Sequence, residues 1–160
     1  MNHNEYEERI PEFTTTKLLF DRVYLELGLY SELGEVLSFF KKKIRGDRQS
    51  TEKLVLEMGD CYWYAVVLLR HVGSKFDDHI VWEISPFRNY DHAARVFLDL
   101  VSTRDRHNGY DTAFLDDVLV NLQNLGAMIG VPLETVLQKN IEKLEGRRER
   151  GTLQGDGDDR

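Results

Sequence analysis

The sequence has few of the features that mark secreted or membrane proteins. Its single cysteine, Cys61, cannot form an intrachain disulfide, and it lies on an apolar helical stripe, so we expect a buried, unreactive thiol. The longest apolar run, Trp63 to Leu69, is too short to cross a bilayer, and no apolar run of the secretory type follows the acidic residues near the N-terminus. We therefore expect a cytoplasmic protein without membrane contact.

The chain also lacks an excess of positive charge. It has 21 lysine and arginine residues against 28 aspartate and glutamate residues, which gives a formal net charge of −7. A general nucleic-acid binder needs a basic surface to displace counterions from phosphates, so we expect no nucleic-acid partner. A free nucleotide is a different case, because a divalent cation can bridge its phosphates to an acidic protein. The length of 160 residues fits one domain with a sizeable core.

No strand pattern competes with the helical periodicity, so the sequence predicts an all-α bundle of about five helices. We expect a flexible N-terminal arm over residues 1–16, a helical domain over 17–150 and a flexible tail, rich in glycine and aspartate, over 151–160. Residues 73–110 contain an unassigned segment, with a short helix near Phe76 to Trp82 as one possibility. The predicted helices run from Lys17 to about Arg45 with a bend or break at Gly28, from Ser50 or Thr51 to His71, from Tyr90 to about Thr103, from Asp111 to Ile129, and from Pro132 to about Arg148.

Two carboxylate pairs dominate the first half of the chain. Glu32 and Glu35 form one pair and Glu57 and Asp60 the other, and each pair has the i, i+3 spacing that places both groups on one side of a helix. The two segments match at a constant offset of 25 residues, since 57 − 32 and 60 − 35 are both 25. That offset also pairs the apolar positions: Leu29 with Leu54, Leu33 with Met58, Val36 with Cys61, Phe40 with Ala65 and Ile44 with Leu69. The acids therefore lie along the edge of the same stripe in both helices.

Such pairs are common on helix surfaces, and a solvated, structural role is the first alternative. Two pairs in register are harder to explain that way, particularly because each contains a glycine, Gly34 or Gly59, that costs an interior helix roughly 1 kcal/mol relative to alanine. The glycines suggest close approach by another helix or subunit. Carboxylates that face one another across two packed helices require a cation.

The missing residue types narrow the choice of cation. No Glu is followed three residues later by His, as a di-iron bundle requires, and the five histidines have no ligand spacing. Carboxylate oxygens alone suit Mg²⁺, with Mn²⁺ as a substitute, and Mg²⁺ sites are often completed by substrate phosphates. No Walker-type glycine loop is present, so cationic side chains must share in holding those phosphates.

Cationic and polar candidates occur at two places in the sequence. Asn140, Lys143 and Arg147 recur at i, i+3 and i+7 and share one face of the last helix. Lys42 lies at the end of the first long helix, where it either offsets the exposed carbonyl groups of the terminus or reaches a phosphate. For each of these lysine and arginine residues the sequence allows two roles, a surface cation or a phosphate ligand.

Taken together, these residues resemble the MazG-like all-α nucleoside triphosphate pyrophosphohydrolases. The family signature, E-x-x-E, a spacer and E-x-x-D, is similar to Glu32-Leu-Gly-Glu35, twenty-one intervening residues and Glu57-Met-Gly-Asp60. The segment from Lys139 to Arg147 resembles the Asn-x-x-Lys-x-x-x-Arg element of the family, and the end of the chain resembles the ending of many phage and bacterial members. The resemblance covers about residues 18–72 and 112–160.

The resemblance implies Mg²⁺-dependent hydrolysis of nucleoside or deoxynucleoside triphosphates to the monophosphate and pyrophosphate, in a homodimer or homotetramer. The implied metal ligands are Glu32, Glu35, Glu57 and Asp60, with Glu32 or Glu35 in a catalytic role that orients a metal-activated water. The implied substrate ligands are Asn140, Lys143, Arg147 and, at the other helix end, Lys42. Trp63 or Tyr64 would stack on the base, and Asp156 or Arg160 would contribute if the tail folds over the site.

Three alternatives stand beside this interpretation. The chain could be a helical module that binds a nucleotide without turning it over, or an oligomerisation domain whose acids are surface groups. Within the enzyme class, dUTP diphosphatases and phosphoribosyl-ATP pyrophosphatases share the same motif logic. The sequence alone does not separate these alternatives.

Overall fold

The computed structural model describes residues 1–80, 83–102 and 112–153, and the regular elements within these ranges are all helical. The α-helices are α1 (His3–Arg9), α2 (Thr16–Leu19), α3 (Arg22–Ile44), α4 (Thr51–His71), α5 (Tyr90–Ser102), α6 (Thr112–Ile129) and α7 (Leu133–Glu149), with 3-10 turns at Ile10–Phe13 and Phe76–His79. The prediction of an all-α bundle is confirmed. The described part of the chain has seven helices rather than about five, because α1 and α2 are too short to show a helical period in sequence.

Helix α4 occupies the centre of the bundle. Twelve of its 21 residues are buried, and it packs against α3, α6 and α7. A helix that is apolar on most of its circumference requires partners on several sides, which explains this position. Its start is fixed by Ser50, whose hydroxyl accepts a hydrogen bond from the backbone N–H of Glu52 at 3.1 Å, and its end by Gly73, which adopts a φ of 75°.

The N-terminal segment differs from the flexible arm expected over residues 1–16. It forms α1 and a 3-10 turn, and it buries Tyr6, Ile10 and Phe13 in the core. Asn2 caps α1 by accepting from the N–H of Glu5 at 2.9 Å, while the carboxylate of Glu5 accepts from the N–H of Asn2 at 3.1 Å. This reciprocal cap and three apolar anchors hold the segment against α7.

The break in the first long helical segment lies at Phe20 and Asp21, not at Gly28. Asp21 begins α3 by accepting a hydrogen bond from the N–H of Tyr24 at 3.0 Å. Gly28 instead allows close packing, because a Cβ at this position would lie 2.1 Å from the Tyr64 ring. The glycine is therefore a packing site within a continuous helix.

The middle of the chain is partly outside the described residues. The possible helix near Phe76 to Trp82 corresponds to the 3-10 turn Phe76–His79, with Trp82 itself outside the described ranges, as are Asp111 and residues 154–160 of the tail. The turn is tied to α6 because His79 is hydrogen-bonded to Asp116. No helix in the described ranges combines the length and the apolar character that a membrane crossing requires.

Candidate metal and phosphate site

Three of the four predicted acids lie together between α3 and α4. One carboxylate oxygen from each of Glu32, Glu57 and Asp60 lies within 4.8 Å of those from the other two. All three side chains are half-buried, so the packed helices shield them partly from water. The predicted convergence of the two helices is therefore present for these three acids.

The apolar stripes of the two helices set this convergence. The paired positions Leu29 with Leu54 and Leu33 with Met58 are all fully buried, so the stripes face the same core. The acids flank these stripes at helical spacing and consequently project from the same side of the α3–α4 contact. The packing of these stripes thus brings Glu32 of α3 next to Glu57 and Asp60 of α4.

The fourth acid, Glu35, lies at the edge of this group. Its side chain is exposed, and it is not among the three acids whose oxygens converge. It is nevertheless close enough for its negative charge to contribute to the raised pKa of Glu57. Glu35 is therefore next to the cluster, with its carboxylate open to solvent.

Asp60 is held by two side chains of α7, one of which is oriented in turn by Tyr6 of α1. The Nδ2 of Asn140 donates to one of its oxygens at 2.9 Å, and the ammonium of Lys143 forms an ion pair with the other. The hydroxyl of Tyr6 donates to the Oδ1 of Asn140 at 2.7 Å, which fixes the amide in the orientation that serves Asp60. Both polar ends of Asn140 are thus used inside the protein.

Gly59 makes this arrangement possible. A Cβ at Gly59 would lie 2.8 Å from the Cβ of Asn140, so only glycine allows α4 and α7 to approach this closely. The sequence-based suggestion of close helix approach is confirmed at Gly59. At Gly34 no described atom lies within 4 Å of the corresponding Cβ position.

The electrostatics of the cluster are those of crowded carboxylates. Burial is the largest cause of a raised pKa at Glu57, and the charges of Asp60 and Glu35 act in the same direction. Lys143 and Lys53 oppose the rise. Burial, followed by the negative charge of Glu32, also raises the pKa of Cys61 well above its usual range, so the expected buried thiol is present next to the cluster.

The predicted cations lie at different distances from the acids. Lys143 contacts Asp60 directly, and Arg147 lies one helical turn further along α7 with a half-buried side chain. Lys42 is ten residues beyond Glu32, which corresponds to about 15 Å along the helix axis. Its positive charge contributes, after that of Arg45, to the lowered pKa of Asp47. Lys42 therefore belongs to the helix end and Lys143 to the acid cluster.

Aromatic candidates for base stacking are packed among other rings. Trp63 is 8% exposed, and its ring meets that of Tyr64 edge-on with centroids 4.9 Å apart. Tyr64 contacts Tyr24 of α3 in turn. The indole Nε1 of Trp63 is buried and has no hydrogen-bond partner in the described part of the chain.

The residue that sequence reasoning missed is Tyr6. It is fully buried and is the donor that orients Asn140, although it lies 134 residues away in sequence. Burial and, secondarily, the charge of Asp60 raise its pKa well above 10.0, so it stays a neutral donor. No local pattern in the first sixteen residues points to this contact.

A second polar arrangement lies at the other end of α4. The hydroxyl of Ser74 is 2.6 Å from Nε2 of His79, whose Nδ1 contacts Asp116, in the order of a Ser-His-Asp triad. The backbone N–H groups of Ser74 and Phe76 already donate to the carbonyl of Leu69 and the carboxylate of Glu7, so neither stabilises an oxyanion at Ser74. We interpret this set as a structural tie between the 3-10 turn and α6.

The donor set of the acid cluster fits a hard divalent cation. Magnesium binds oxygen at about 2.1 Å, so opposite ligands of one ion are separated by about 4.2 Å. The three carboxylates lie within 4.8 Å of one another, and small side-chain rotations bring them within that span. Glu32, Glu57 and Asp60 could therefore hold such a cation with one oxygen each, and the exposed carboxylate of Glu35 lies beside them.

Comparison with known proteins leaves the family open. No protein-family model and no solved structure matches the chain. A 48-residue segment, 30% of the chain, is 44% identical to part of the Gene 37 protein of Mycobacterium phage L5, whose name states no activity. The matched segment spans 42% of that protein, so the similarity indicates a relative over one stretch only.

Proposed function

We propose that this protein is a Mg²⁺-dependent pyrophosphohydrolase of nucleoside or deoxynucleoside triphosphates, of the MazG-like kind. The observation that carries the proposal is the convergence of Glu32, Glu57 and Asp60 between α3 and α4, with Lys143 in contact with Asp60. Three half-buried carboxylates with mutual repulsion provide affinity for a hard cation, and a lysine at their edge provides a contact for phosphate.

The reaction is the cleavage of the anhydride between the α- and β-phosphates. Water supplies the hydroxyl, the nucleoside monophosphate and pyrophosphate are the products, and one proton is released. Glu35 accepts the proton of the attacking water, because its carboxylate is exposed beside the cluster while Glu32 lies within it. A divalent cation, when bound, shields the phosphate charge and polarises a phosphoryl oxygen.

The helix α7 residues have separate roles in this proposal. Lys143 and Arg147 contact phosphates from one face of α7, where they lie one turn apart. Asn140 was predicted as a substrate ligand, but its amide is consumed by Tyr6 and Asp60. We therefore propose it as a positioning residue that orients Asp60. Lys42 is a weaker candidate for a phosphate ligand, because it lies about 15 Å along α3 from Glu32.

The proposal includes a homo-oligomer in the cytoplasm. Phe20, Val23 and Leu27 expose 74%, 65% and 68% of their surface within the α2–α3 segment. Three large apolar side chains within eight residues are typical of a surface covered by a partner. The open space over Gly34 on the same helix would allow close approach of a second copy.

The decisive experiment is a pyrophosphate-release assay with a panel of ribo- and deoxyribonucleoside triphosphates, including dUTP, and 5–10 mM Mg²⁺. We expect release with at least one nucleotide and its loss on chelation. Glu57→Gln should abolish turnover with loss of Mg²⁺ binding, whereas Glu35→Gln should abolish turnover and retain Mg²⁺ binding. Glu8→Gln, an exposed residue of α1, is the matched control. No release with any nucleotide from folded protein would refute the proposal.

One observation favours a second candidate, a helical module that binds nucleotides without hydrolysis. Asp60 is already paired with Lys143 and Asn140, so a complete internal network neutralises part of the cluster. In that case a nucleotide would raise the melting temperature of the protein, and no hydrolysis products would form. If neither nucleotide nor Mg²⁺ changed the melting temperature, a purely structural oligomerisation domain would be the remaining candidate.

A further inference from the structure

Lys53, an exposed residue in the first turn of α4, makes no hydrogen bond or ion pair with any residue in the described ranges. Two other lysines near this end of the site are occupied. Lys139 pairs with Glu52 at 3.1 Å, and Lys143, whose side chain is only 18% exposed, pairs with Asp60. Lys53 is therefore open to a bound anion without the loss of an existing contact.

The helix itself does not favour a lysine at this position. Lys53 is the third residue of α4, three positions after the N-cap Ser50. The positive end of the helix dipole lies here and opposes a second positive charge. A Glu or Gln at this position would complete a capping box with the serine, which lysine cannot do. A negative group bound near the start of α4 would offset both the dipole and the lysine.

Lys53 also lies on the same stripe of α4 as the acids. At roughly 100° per residue, four side chains fall within about 60° of one another around the helix axis: Lys53, Glu57, Asp60 and Tyr64. They extend along about 16 Å of helix, with the lysine at the N-terminal end and the half-buried tyrosine at the other. Burial raises the pKa of Glu57, and the charges of Lys143 and Lys53 act against this rise. The Lys53 ammonium is therefore within electrostatic range of the cluster.

We propose that Lys53 binds the β- and γ-phosphates of the substrate, which lies along this stripe with its nucleoside toward Tyr64. The inference rests on the proposed hydrolase function and gives the substrate a direction on α4. The most negatively charged part of the triphosphate meets a cation and the positive end of the helix. The nucleoside lies toward an aromatic side chain, and Lys143, level with Asp60, is left for the α-phosphate.

Product inhibition tests this direction, because the two products separate at the bond that is cleaved. In Lys53→Gln the inhibition constant of inorganic pyrophosphate should rise roughly tenfold, as expected for the loss of one charge-assisted hydrogen bond. The inhibition constant of the nucleoside monophosphate should stay unchanged. Lys53→Arg should retain inhibition by pyrophosphate. Lys75→Gln, which alters an exposed lysine beyond the other end of α4, is the matched control.

The same variants exclude a merely structural role for Lys53. The melting temperature of Lys53→Gln should not fall, because glutamine suits the capping position. A fall in melting temperature with equal weakening of both products would overturn the proposal. A higher inhibition constant for the monophosphate alone would also overturn it, because the substrate would then lie in the opposite direction.

Direct binding separates this inference from the hydrolase proposal. Calorimetric titration of each protein with inorganic pyrophosphate and Mg²⁺ requires no turnover. Turnover with equal pyrophosphate affinity in Lys53→Gln and the unmodified protein would overturn the assignment of Lys53 and leave the hydrolase standing. Pyrophosphate binding that depends on Lys53, without hydrolysis of any nucleotide, would refute the hydrolase and support Lys53 as a phosphate ligand. Neither binding nor turnover would overturn both.

Discussion

Asn140 and Asp60, 80 residues apart in sequence, are joined by a partly buried hydrogen bond of 2.9 Å. Asn140 is fully buried, and its other polar atom accepts from Tyr6. The amide therefore has one orientation, with its donor toward the acid cluster. A carboxylate fixed in this way meets a cation without first losing rotational freedom.

The Tyr6 hydroxyl should contribute measurably to stability through this link. Tyr6→Phe removes the donor and leaves the buried Oδ1 of Asn140 unsatisfied, which should lower the free energy of unfolding by about 1–2 kcal/mol. Urea unfolding followed by circular dichroism measures the change. In the same variant, Mg²⁺ affinity should fall modestly, because Asp60 loses its fixed orientation. An unfolding free energy within error of the unmodified protein would show that the link is dispensable.

Alanine substitutions at the two motif glycines should have opposite effects. At Gly59 a methyl group would lie 2.8 Å from the Asn140 Cβ and must force α4 and α7 apart, which should destabilise the protein by about 1–3 kcal/mol. At Gly34 the space is open, so alanine should stabilise the helix by up to about 1 kcal/mol. Thermal unfolding of the two variants under identical conditions tests this contrast. Similar losses in both would mean that Gly34 is also closely packed, as in a subunit interface.

The sequence predicts the helical class and the acid convergence because both follow from a repeated local period. In four of the five apolar pairs related by the 25-residue offset, both residues are buried. In the fifth pair Leu69 is fully buried, but Ile44, at the end of α3, is 57% exposed. At 100° per residue, Val23 and Leu27 lie about 140° from the buried stripe of α3, and both are exposed. Periodicity therefore separates the buried face of α3 from a second apolar face, but it does not state what covers that second face.

The parts that sequence did not predict depend on contacts between distant residues. Tyr6 reaches Asn140 across 134 positions, and Gln123 lies on a helix face that is otherwise apolar. The i, i+3, i+7 spacing places Asn140, Lys143 and Arg147 on one face of α7, but it does not indicate that Asn140 is fully buried. The spacing of residues defines the direction in which their side chains project from a helix. Their burial depends on which other element of the protein packs against that side.

The raised pKa of Glu57 gives a pH-dependent prediction. Above its ordinary value of 4.5 the unfolded chain releases a proton that the folded protein still binds, so folding stability falls as pH rises through that window and stays lower at neutral pH. Glu57→Gln removes this penalty. Because Glu57 is half-buried, solvent screening keeps the gain to a few tenths of a kcal/mol, or about 1 °C in melting temperature at pH 7 without divalent cations.

The same variant should lose its advantage under two conditions. Below about pH 4 the native glutamate is protonated, so the two proteins should melt together. With 10 mM Mg²⁺ at pH 7 the unmodified protein should gain stability while Glu57→Gln does not, because the variant lacks a charged ligand. Differential scanning calorimetry at both pH values, with and without Mg²⁺, provides the comparison. A lower melting temperature for Glu57→Gln at pH 7 without cations would show that the native charge is stabilising.

The exposed apolar side chains of α3 should mediate self-association. Leu27→Glu introduces a charge into the segment formed by Phe20, Val23 and Leu27, where burial of an unpaired carboxylate would oppose assembly. We expect the unmodified protein to sediment as a dimer or tetramer and Leu27→Glu to shift toward monomer with its helical content unchanged. Leu98→Glu is the control, because Leu98 is 54% exposed on α5, outside this segment. Sedimentation velocity at several concentrations measures the assembly state, and a monomeric unmodified protein, or an equal shift in Leu98→Glu, would be incompatible with an interface at α3.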